Sequence, residues 1–293
     1  MRLLITGWQG QLAQALVARS VRVGDVEACA VGRPALDLCS LPTIERAMTE
    51  VRPTLVVNAA AYTAVDAAET DEAAAHALNA DGAGLIARAA AQKGVPIVHI
   101  STDYVYDGTK AGAYVETDPT NPVNAYGRSK LAGERAVAAA NPQHIILRTC
   151  WVYSATGKNF VKTMLRLAED RPEIGVVDDQ IGCPTFAPHL ADAILQLARG
   201  LNKAGGDGRW GVYHAAGSGE TSWYGFARAI FDETGSRGGE VPRVRPLTTA
   251  QYPTPARRPA NSRLDCAKLA ANFGVRQSEW RDGLRVCLAE LGV

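Results

Sequence analysis

The sequence lacks long hydrophobic runs, and this absence bears on export and membrane insertion. A secretory signal needs about 7–15 consecutive apolar residues, and a membrane-spanning helix needs about 20. The first apolar run, residues 3–5, ends at once in a segment rich in Gly and Gln. We therefore expect a cytoplasmic protein that does not associate with a membrane.

Paired cysteines, metal-binding histidine spacings and excess charge are also missing. The six cysteines are scattered without a Cys-x-x-Cys pair, and the five histidines form no His-x-x-x-His pattern. These absences exclude a disulfide framework and the common zinc motifs. With 31 Lys and Arg against 30 Asp and Glu, the net charge is +1. This balance predicts no binding to nucleic acid or to an anionic membrane surface.

What is present is an alternation of apolar strands and helical patterns over the first half of the 293 residues. This alternation is typical of an α/β protein with a doubly wound parallel sheet, the Rossmann fold. We predict a dinucleotide-binding domain at 1–150, with a returning segment near 185–220, and mainly a smaller mixed α/β substrate lobe at 151–293. An Ala-rich helix is predicted over 72–92, and an irregular connection over 235–262.

A glycine-rich turn directly follows the first predicted strand and opens a helix. Glycine lets backbone N–H groups approach a pyrophosphate, which the helix N-terminus also attracts. The spacing G-x-x-G-x-x-A occurs in ordinary tight turns as well, but its place at the first strand–helix junction favours a dinucleotide. We therefore predict coenzyme contacts from four residues of this turn, Gly7, Gly10, Gln11 and Leu12.

The end of the second strand bears on which dinucleotide is bound. NAD sites usually end this strand with Asp or Glu, which accepts hydrogen bonds from the ribose hydroxyls. Here the strand ends in Val31, Gly32 and Arg33, and a guanidinium can pair with a 2′-phosphate. The pattern favours NADPH, with NADH left possible; the alternative for this arginine is a solvated surface position. Asp37 and Leu38 are predicted to flank the adenine.

A tyrosine and a lysine one helical turn apart carry the strongest chemical signal. Tyr126 and Lys130 are separated by four positions, so their side chains lie about 40° apart around a helix axis, on one face. An ammonium about 4 Å from a phenol contributes about 4 kcal/mol at an effective dielectric constant of about 20. That is worth about two or three pKa units, so we expect Lys130 to lower the pKa of Tyr126 into a useful range. The same spacing also arises by chance on helices.

Four longer segments resemble the extended short-chain dehydrogenase/reductase family. They are 58–66 (NAAAYTAVD), 101–108 (STDYVYDG), 148–153 (RTCWVY) and 178–185 (DDQIGCPT). Within that family they are similar to the reductases of dTDP-linked 4-keto-6-deoxy sugars, and the similarity extends to about residue 192. The resemblance implies hydride transfer from NAD(P)H to the C4 ketone of dTDP-4-dehydro-L-rhamnose.

The resemblance also implies a role for individual residues. Tyr126 would protonate the nascent alkoxide, Thr102 would polarise the ketone, and Lys130 would tune Tyr126 and hold the nicotinamide ribose. Contacts with the sugar nucleotide are implied for Thr102, Asp103 and Trp151. Further coenzyme contacts are implied for Ala60, Ala61, Tyr62, Tyr126 and Lys130.

Two departures from the family pattern affect what is expected. Some members bridge a dimer with magnesium through acidic residues, but the matching positions here are 13–15 (AQA) and 188–189 (PH). We therefore predict no metal, in a monomer or a homodimer. Sugar-nucleotide dehydratases carry Asp-Glu after the catalytic Thr, whereas this chain has Asp103 and Tyr104. Two alternatives stay open: another sugar-nucleotide reductase or epimerase, and a non-catalytic NADP-binding regulatory subunit.

Other polar positions are given structural interpretations. His99 lies inside the fourth predicted strand and is interpreted as a packed residue rather than a catalyst. Lys158 and Lys162, four positions apart, are interpreted as a solvated helix face. The basic pair Arg257 and Arg258 either meets a diphosphate or belongs to a solvated loop.

Overall fold

The computed structural model describes residues 1–203, 209–236 and 241–293. The strands are β1 (Arg2–Thr6), β2 (Glu27–Val31), β3 (Leu55–Asn58), β4 (Ile97–Thr102), β5 (His144–Thr149), β6 (Val152–Tyr153), β7 (Glu173–Val177), β8 (Ile181–Gly182), β9 (Thr185–Phe186), β10 (Gly211–His214), β11 (Thr221–Ser222), β12 (Arg243–Leu247) and β13 (Asn261–Ser262). The α-helices are α1 (Gln11–Val23), α2 (Leu41–Val51), α3 (Val65–Ala68), α4 (Glu72–His76), α5 (Ala83–Gln92), α6 (Ala125–Ala140), α7 (Phe160–Asp170), α8 (Ala187–Lys203), α9 (Trp223–Gly235), α10 (Ala267–Phe273) and α11 (Trp280–Leu291).

Six of these strands form one parallel sheet in the order β10-β5-β4-β3-β1-β2. The chain runs outward from β1 to β2 and then crosses to β3 on the other side of β1. The direction of winding therefore reverses at β1. Doubly wound sheets bind ligands at the carboxyl ends of the strands beside such a reversal. The predicted Rossmann fold is confirmed.

Helices cover both faces of the sheet, which explains why its strands are nearly uninterrupted apolar sequence. On one face, α1 and α8 pack together over Leu3 and Ile5 of β1. On the other face, α2 and α5 enclose Leu4 of β1 and Val56 of β3. Successive residues of β1 thus enter different cores, as the pleat of a strand requires.

The Ala-rich helix predicted over 72–92 is interrupted. A π-helical turn, Ala77–Gly82, separates α4 from α5. Within it, the Asn79 amide donates to the Tyr62 carbonyl at 3.1 Å and to Ser129 Oγ at 2.9 Å. It also accepts the Tyr62 N–H at 2.8 Å. The turn therefore ties the loop after β3 to α6, a connection that the spacing of the alanines does not show.

The C-terminal lobe has an apolar core of its own, built around Phe226, Ile230 and Leu284. Within the lobe, β12 pairs in parallel with β7. The expectation of an irregular connection over 235–262 is therefore wrong where β12 lies. Most of β12 is exposed or half-exposed, and such an edge strand tolerates the Pro246 that hid it in the sequence. Residues 237–240 of that connection lie outside the described chain.

The chain returns from the lobe to the central sheet through α8 and β10. The first of these packs on α1, and the second pairs with β5 at the edge of the sheet. Residues 204–208 between them lie outside the described chain. This arrangement agrees with a returning segment near 185–220, and the division of the chain into two domains at residue 150 stays a prediction.

Candidate active site

A cleft of about 740 Å³ opens beside the carboxyl ends of the parallel strands, bordered by the lobe. Its volume is that of a small-molecule or coenzyme site. Most of the predicted site residues line it, namely Gly7, Gly10, Gln11, Leu12, Arg33, Asp37, Leu38, Ala60, Ala61, Thr102, Asp103, Tyr126, Lys130 and Trp151. Tyr62 does not. Its backbone is bound by Asn79, and its ring packs with a small apolar cluster that includes Ala75 and Ala125.

The glycine-rich turn forms one end of the cleft, and its geometry suits a diphosphate. Gly7 has φ +82°, and a Cβ added to it would lie 3.0 Å from Cα of Ala60. Both the backbone conformation and the close contact therefore require glycine. Gly10 caps α1 without a side-chain hydrogen bond, and the first turn of the helix contains no acidic residue. The N–H groups at this helix end are therefore suited to an anion.

Gln11 ties the glycine-rich turn to the lobe. Its Oε1 accepts hydrogen bonds from Ser154 Oγ and from Asn159 Nδ2, each at 2.9 Å. Asn159 in turn caps α7 by accepting the Lys162 N–H at 3.2 Å. The side chain predicted to contact the coenzyme thus holds two walls of the cleft together.

Beyond the end of β2, the cleft is lined by Arg33, Asp37 and Leu38. Trp8 lines the same end, although the sequence analysis did not single it out. Its indole is 48% exposed, and a Cβ added to Gly32 would come within 2.2 Å of the ring. Only glycine at that position leaves room for the indole. A guanidinium and a large aromatic surface are therefore both available to a nucleotide here.

Helix α6 presents Tyr126 and Lys130 to the middle of the cleft. The helix begins after Asn124, whose side chain accepts the Gly127 N–H at 2.7 Å. This cap places the tyrosine in the first turn and the lysine in the second. Lys130 Nζ donates to the Ile100 carbonyl at 2.7 Å, and burial lowers the pKa of the ammonium to about 8.

The pKa of Tyr126 lies above its ordinary value. Burial is the main cause, the Asp103 carboxylate adds to it, and a hydrogen bond with Thr102 opposes it only in part. Desolvation thus disfavours the phenolate more strongly than the Thr102 hydroxyl favours it, and Lys130 is not among the causes of the shift. The prediction that Lys130 lowers this pKa is wrong. The phenol therefore keeps its proton at neutral pH.

Thr102 and Asp103 form a buried pair in the cleft wall. Thr102 Oγ1 accepts the Tyr104 N–H at 3.2 Å and donates to Asp103 Oδ1 at 3.0 Å. Asp103 is 3% exposed, and burial raises the pKa of its carboxyl to about 7. Its Oδ2 has no hydrogen-bond partner among the residues that the structure describes. A buried carboxyl with such an oxygen is suited to bind or protonate a ligand.

A line of buried polar side chains runs from β1 through β3 and β4 to Lys130. Thr6 Oγ1 accepts the Ala60 N–H at 3.0 Å and donates to Asn58 Oδ1 at 2.6 Å. Asn58 Nδ2 donates to His99 Nδ1 at 3.0 Å, and His99 Nε2 lies 3.5 Å from Lys130 Nζ. Burial, and then Lys130, holds the pKa of His99 well below its ordinary value. His99 is therefore buried and neutral, and it also connects the glycine-rich turn to the lysine.

Glu134, one turn beyond Lys130 on α6, forms a buried ion pair that the sequence analysis missed. Its carboxylate accepts Arg148 Nε at 2.9 Å, Arg148 Nη2 at 2.6 Å and Ser101 Oγ at 2.5 Å. The side chains of the ion pair are 4% and 5% exposed. The pair fixes α6 against the ends of β4 and β5, directly before Thr102.

The basic residues given structural interpretations agree with them in part. Lys158 is solvated as predicted, but it lies before α7 rather than on a helix, and it also lines the cleft. Arg258 Nη2 lies 2.8 Å from Asp66 Oδ2, and its guanidinium is half-buried. Arg257 is exposed, as a solvated loop predicts, and neither arginine is part of the cleft lining.

Within residues 1–203, 209–236 and 241–293, no group of three or more His, Cys, Asp or Glu side chains could hold a metal ion. In the same ranges, no helix combines the length and the apolar character needed to cross a bilayer. The cysteines at 29, 39, 150, 183, 266 and 287 are all free thiols.

Comparisons with known proteins agree on one family. The family model described as the RmlD substrate binding domain matches residues 1–293. The dTDP-4-dehydrorhamnose reductase of Sinorhizobium fredii is 48% identical over 285 residues, which cover 97% of this chain and 96% of that protein. The crystal structure of a dTDP-4-dehydrorhamnose reductase from Clostridium acetobutylicum has a TM-score of 0.92 at 38% identity and covers 100% of both chains. The Bacillus anthracis reductase, crystallised in complex with NADP, has a TM-score of 0.90 at 35% identity and covers 99% of both chains.

Proposed function

The chain belongs to the dTDP-4-dehydrorhamnose reductase family, and from this premise we propose that its cleft holds NADPH and the dTDP sugar together. The reaction is reduction of the C4 ketone of dTDP-4-dehydro-L-rhamnose to give dTDP-L-rhamnose. One observation carries the assignment to this cleft: Thr102, Tyr126 and Lys130 line it between the glycine-rich turn and the lobe.

The residues at the turn end of the cleft fit NADPH. The N-terminus of α1 and the close approach at Gly7 suit its diphosphate, and Arg33 suits its 2′-phosphate. The second strand ends at Val31 rather than at an acidic residue, as expected where the ribose carries a phosphate. NADPH, when bound, supplies the hydride for C4.

Tyr126 holds the proton that the reduced ketone requires. Its raised pKa keeps the phenol neutral before the reaction. Donation from such a positioned acid contributes about 10²–10⁴-fold to the rate. Tyr126 is therefore the proton donor in this proposal, and Lys130 holds α6 against β4 through the Ile100 carbonyl.

Thr102 polarises the ketone once its hydroxyl proton is available. In the structure that proton is donated to Asp103 Oδ1. When the carboxyl of Asp103 is protonated, it can donate to Thr102 instead, and the Thr102 hydroxyl is released toward the substrate. Because burial raises the pKa of Asp103 to about 7, this form is populated near neutral pH. Asp103 and Trp151 line the same cleft, where they can contact the sugar nucleotide.

The two alternative functions, a regulatory subunit and another sugar-nucleotide enzyme, explain fewer of the residues in the cleft than the proposed reductase does. A regulatory subunit that only binds NADP needs no proton donor, and it leaves the set of Thr102, Tyr126 and Lys130 unexplained. Another sugar-nucleotide reductase or an epimerase would use the same set, so product analysis must separate it from the proposed reaction.

The free cysteines bear on where the reaction takes place. We propose that the reaction takes place in the cytoplasm, supported by the six free cysteines, since exported proteins commonly pair theirs. The choice between a monomer and a homodimer stays a prediction.

The test is NADPH oxidation by the purified full chain with dTDP-4-dehydro-L-rhamnose, with the product identified by chromatography and NMR. The wild-type chain should form dTDP-L-rhamnose. Tyr126→Phe removes the phenolic proton and keeps the ring, whose centroid lies 5.7 Å from that of Tyr104. Its kcat should fall about 10²–10⁴-fold with little change in KM.

Tyr104→Phe is the matched control. It also removes one tyrosine hydroxyl, but Tyr104 is not part of the cleft lining, so its turnover should stay close to that of the wild type. Wild-type turnover by Tyr126→Phe would show that the proton comes from another group. A product other than dTDP-L-rhamnose would refute the assigned reaction.

A further inference from the structure

The indole of Trp151 is enclosed by two elements of the lobe. It stacks on Trp223 of α9, with ring centroids 3.5 Å apart and an interplanar angle of 12°. Gly182 of β8 borders the same indole, and a Cβ added there would come within 2.5 Å of Cε2. Only glycine at that position leaves room for the ring. The orientation of the indole is therefore determined by α9 and β8.

The backbone of Trp151 is also held in an unusual conformation. Its φ is +47°, in the left-handed region, which costs a non-glycine residue about 1–2 kcal/mol. Its carbonyl accepts the Thr185 N–H at 3.1 Å, and Val152 pairs with Thr185 in the adjoining ladder. Backbone strain persists only where the surroundings maintain it, and such sites often serve ligand binding.

Trp223 is anchored in the core of the lobe rather than in the sheet. Its ring centroid lies 4.7 Å from that of Phe160 on α7, and Phe160 stacks on Phe226. The preceding residue, Ser222, caps α9 by accepting the Gly225 N–H at 2.9 Å. The coenzyme end of the cleft, by contrast, is built from the turns after β1 and β2. Trp223 therefore controls one aromatic ring of the cleft, whereas the lobe meets the glycine-rich turn through other residues, Ser154 and Asn159.

We propose that Trp223 is a positioning residue for the sugar nucleotide, which it serves by holding the Trp151 indole in place at the lobe end of the cleft. This inference rests on the proposed function, because the ligand is the product of that reaction. A ring that is already fixed can bind the face of a sugar or a base without losing side-chain freedom on binding. Loss of the stack therefore weakens binding of the dTDP sugar and leaves NADPH binding unchanged.

Isothermal titration of the full chain with two probes, dTDP-L-rhamnose and NADPH, tests this inference. Trp223→Leu should raise the Kd of dTDP-L-rhamnose about five- to tenfold, the effect of losing one aromatic stack. The Kd of NADPH should not change. Trp223→Phe keeps an aromatic ring on Trp151 and should recover most of the affinity. Gly182→Ala displaces the indole and changes no residue of α9, so it should weaken sugar-nucleotide binding even if Trp223→Leu fails to fold.

Trp210→Leu is the matched control, because Trp210 packs against the core of the sheet and is not part of the cleft lining. It should lower stability and change neither Kd. Equal losses of affinity for both probes in Trp223→Leu would indicate a merely structural role and overturn the inference. Unchanged sugar-nucleotide binding in both Trp223→Leu and Gly182→Ala would also overturn it.

The wild-type chain separates this inference from the proposed function. In one outcome, the wild-type chain reduces the keto sugar while the variants bind dTDP-L-rhamnose as tightly as it does. That result overturns the inference about Trp223 and leaves the proposed function standing. A wild-type chain that binds no dTDP-L-rhamnose overturns both.

Discussion

Replacement of Asp103 by Asn should make the stability of the protein less sensitive to pH. The carboxyl is 3% exposed, and burial raises its pKa from 3.8 to about 7. Between about pH 4 and pH 7 the native state keeps a proton that the unfolded state releases, so stability falls as the pH rises through this window. A shift of about three units corresponds to about 4 kcal/mol of stability lost by the wild type.

The amide introduced by Asp103→Asn cannot ionise and so avoids that loss. Its oxygen can keep the hydrogen bond from Thr102, while its N–H group replaces the unpartnered Oδ2 of the carboxyl. An unsatisfied buried N–H costs about 1–3 kcal/mol, but this cost is the same at every pH. The measurement therefore compares the free energies of unfolding of the variant and the wild type, first at pH 5 and then at pH 8. The informative quantity is how much this difference changes between the two pH values. It should be about 2.5 kcal/mol in favour of the variant.

Urea denaturation at constant ionic strength, with fluorescence as the probe, measures this difference. Glu50→Gln is the control, because Glu50 is exposed on α2 and its replacement should leave the pH dependence unchanged. If the difference between Asp103→Asn and the wild type is the same at pH 5 and pH 8, the buried carboxyl is not the origin of the effect, and the argument for a protonated Asp103 fails.

Two further substitutions test the coenzyme end of the cleft and the support of α6. Arg33→Ala should raise KM for NADPH about tenfold or more, because a charge-assisted hydrogen bond is worth about 1.5–3 kcal/mol. Initial rates with NADPH and NADH measure this, and equal changes for both coenzymes would argue against a 2′-phosphate contact. Glu134→Gln leaves the buried Arg148 without its counterion, so denaturant unfolding should show a loss of about 3–5 kcal/mol. The control is Glu72→Gln, whose ion pair with Arg128 is 50% and 47% exposed and should contribute at most about 1 kcal/mol. Similar losses in the two variants would contradict the reasoning from burial.

The features that could be predicted from the sequence depend on a single element or on the sheet as a whole. Gly7 lies in a turn directly after β1, and Tyr126 and Lys130 are one turn apart on α6. The geometry of each element decides these relations. A parallel sheet then brings the carboxyl ends of its strands to one edge, so Thr102 and Arg33 could be placed at the same cleft.

Contacts between distant elements could not be predicted in this way. Trp151 meets Trp223, and Glu134 meets Arg148, only through packing of the lobe on itself and of α6 on the sheet. No periodicity marks either pair. The error about Tyr126 has the same origin, because the sequence shows a nearby lysine but not the burial that decides the pKa.

A chain of hydrogen bonds fixes the orientation of the His99 ring beside Lys130. Thr6 gives its hydroxyl proton to Asn58 Oδ1, so the Asn58 amide directs its N–H group at His99 Nδ1. The neutral imidazole then carries its own proton on Nε2, which faces Lys130 Nζ at 3.5 Å. An N–H group opposes an ammonium, whereas a neutral amine can accept it. Burial lowers the pKa of Lys130 to about 8, although the Glu134 carboxylate raises it. A reductase needs a donor that still carries its proton, and Tyr126 meets this requirement because burial raises the pKa of its phenol.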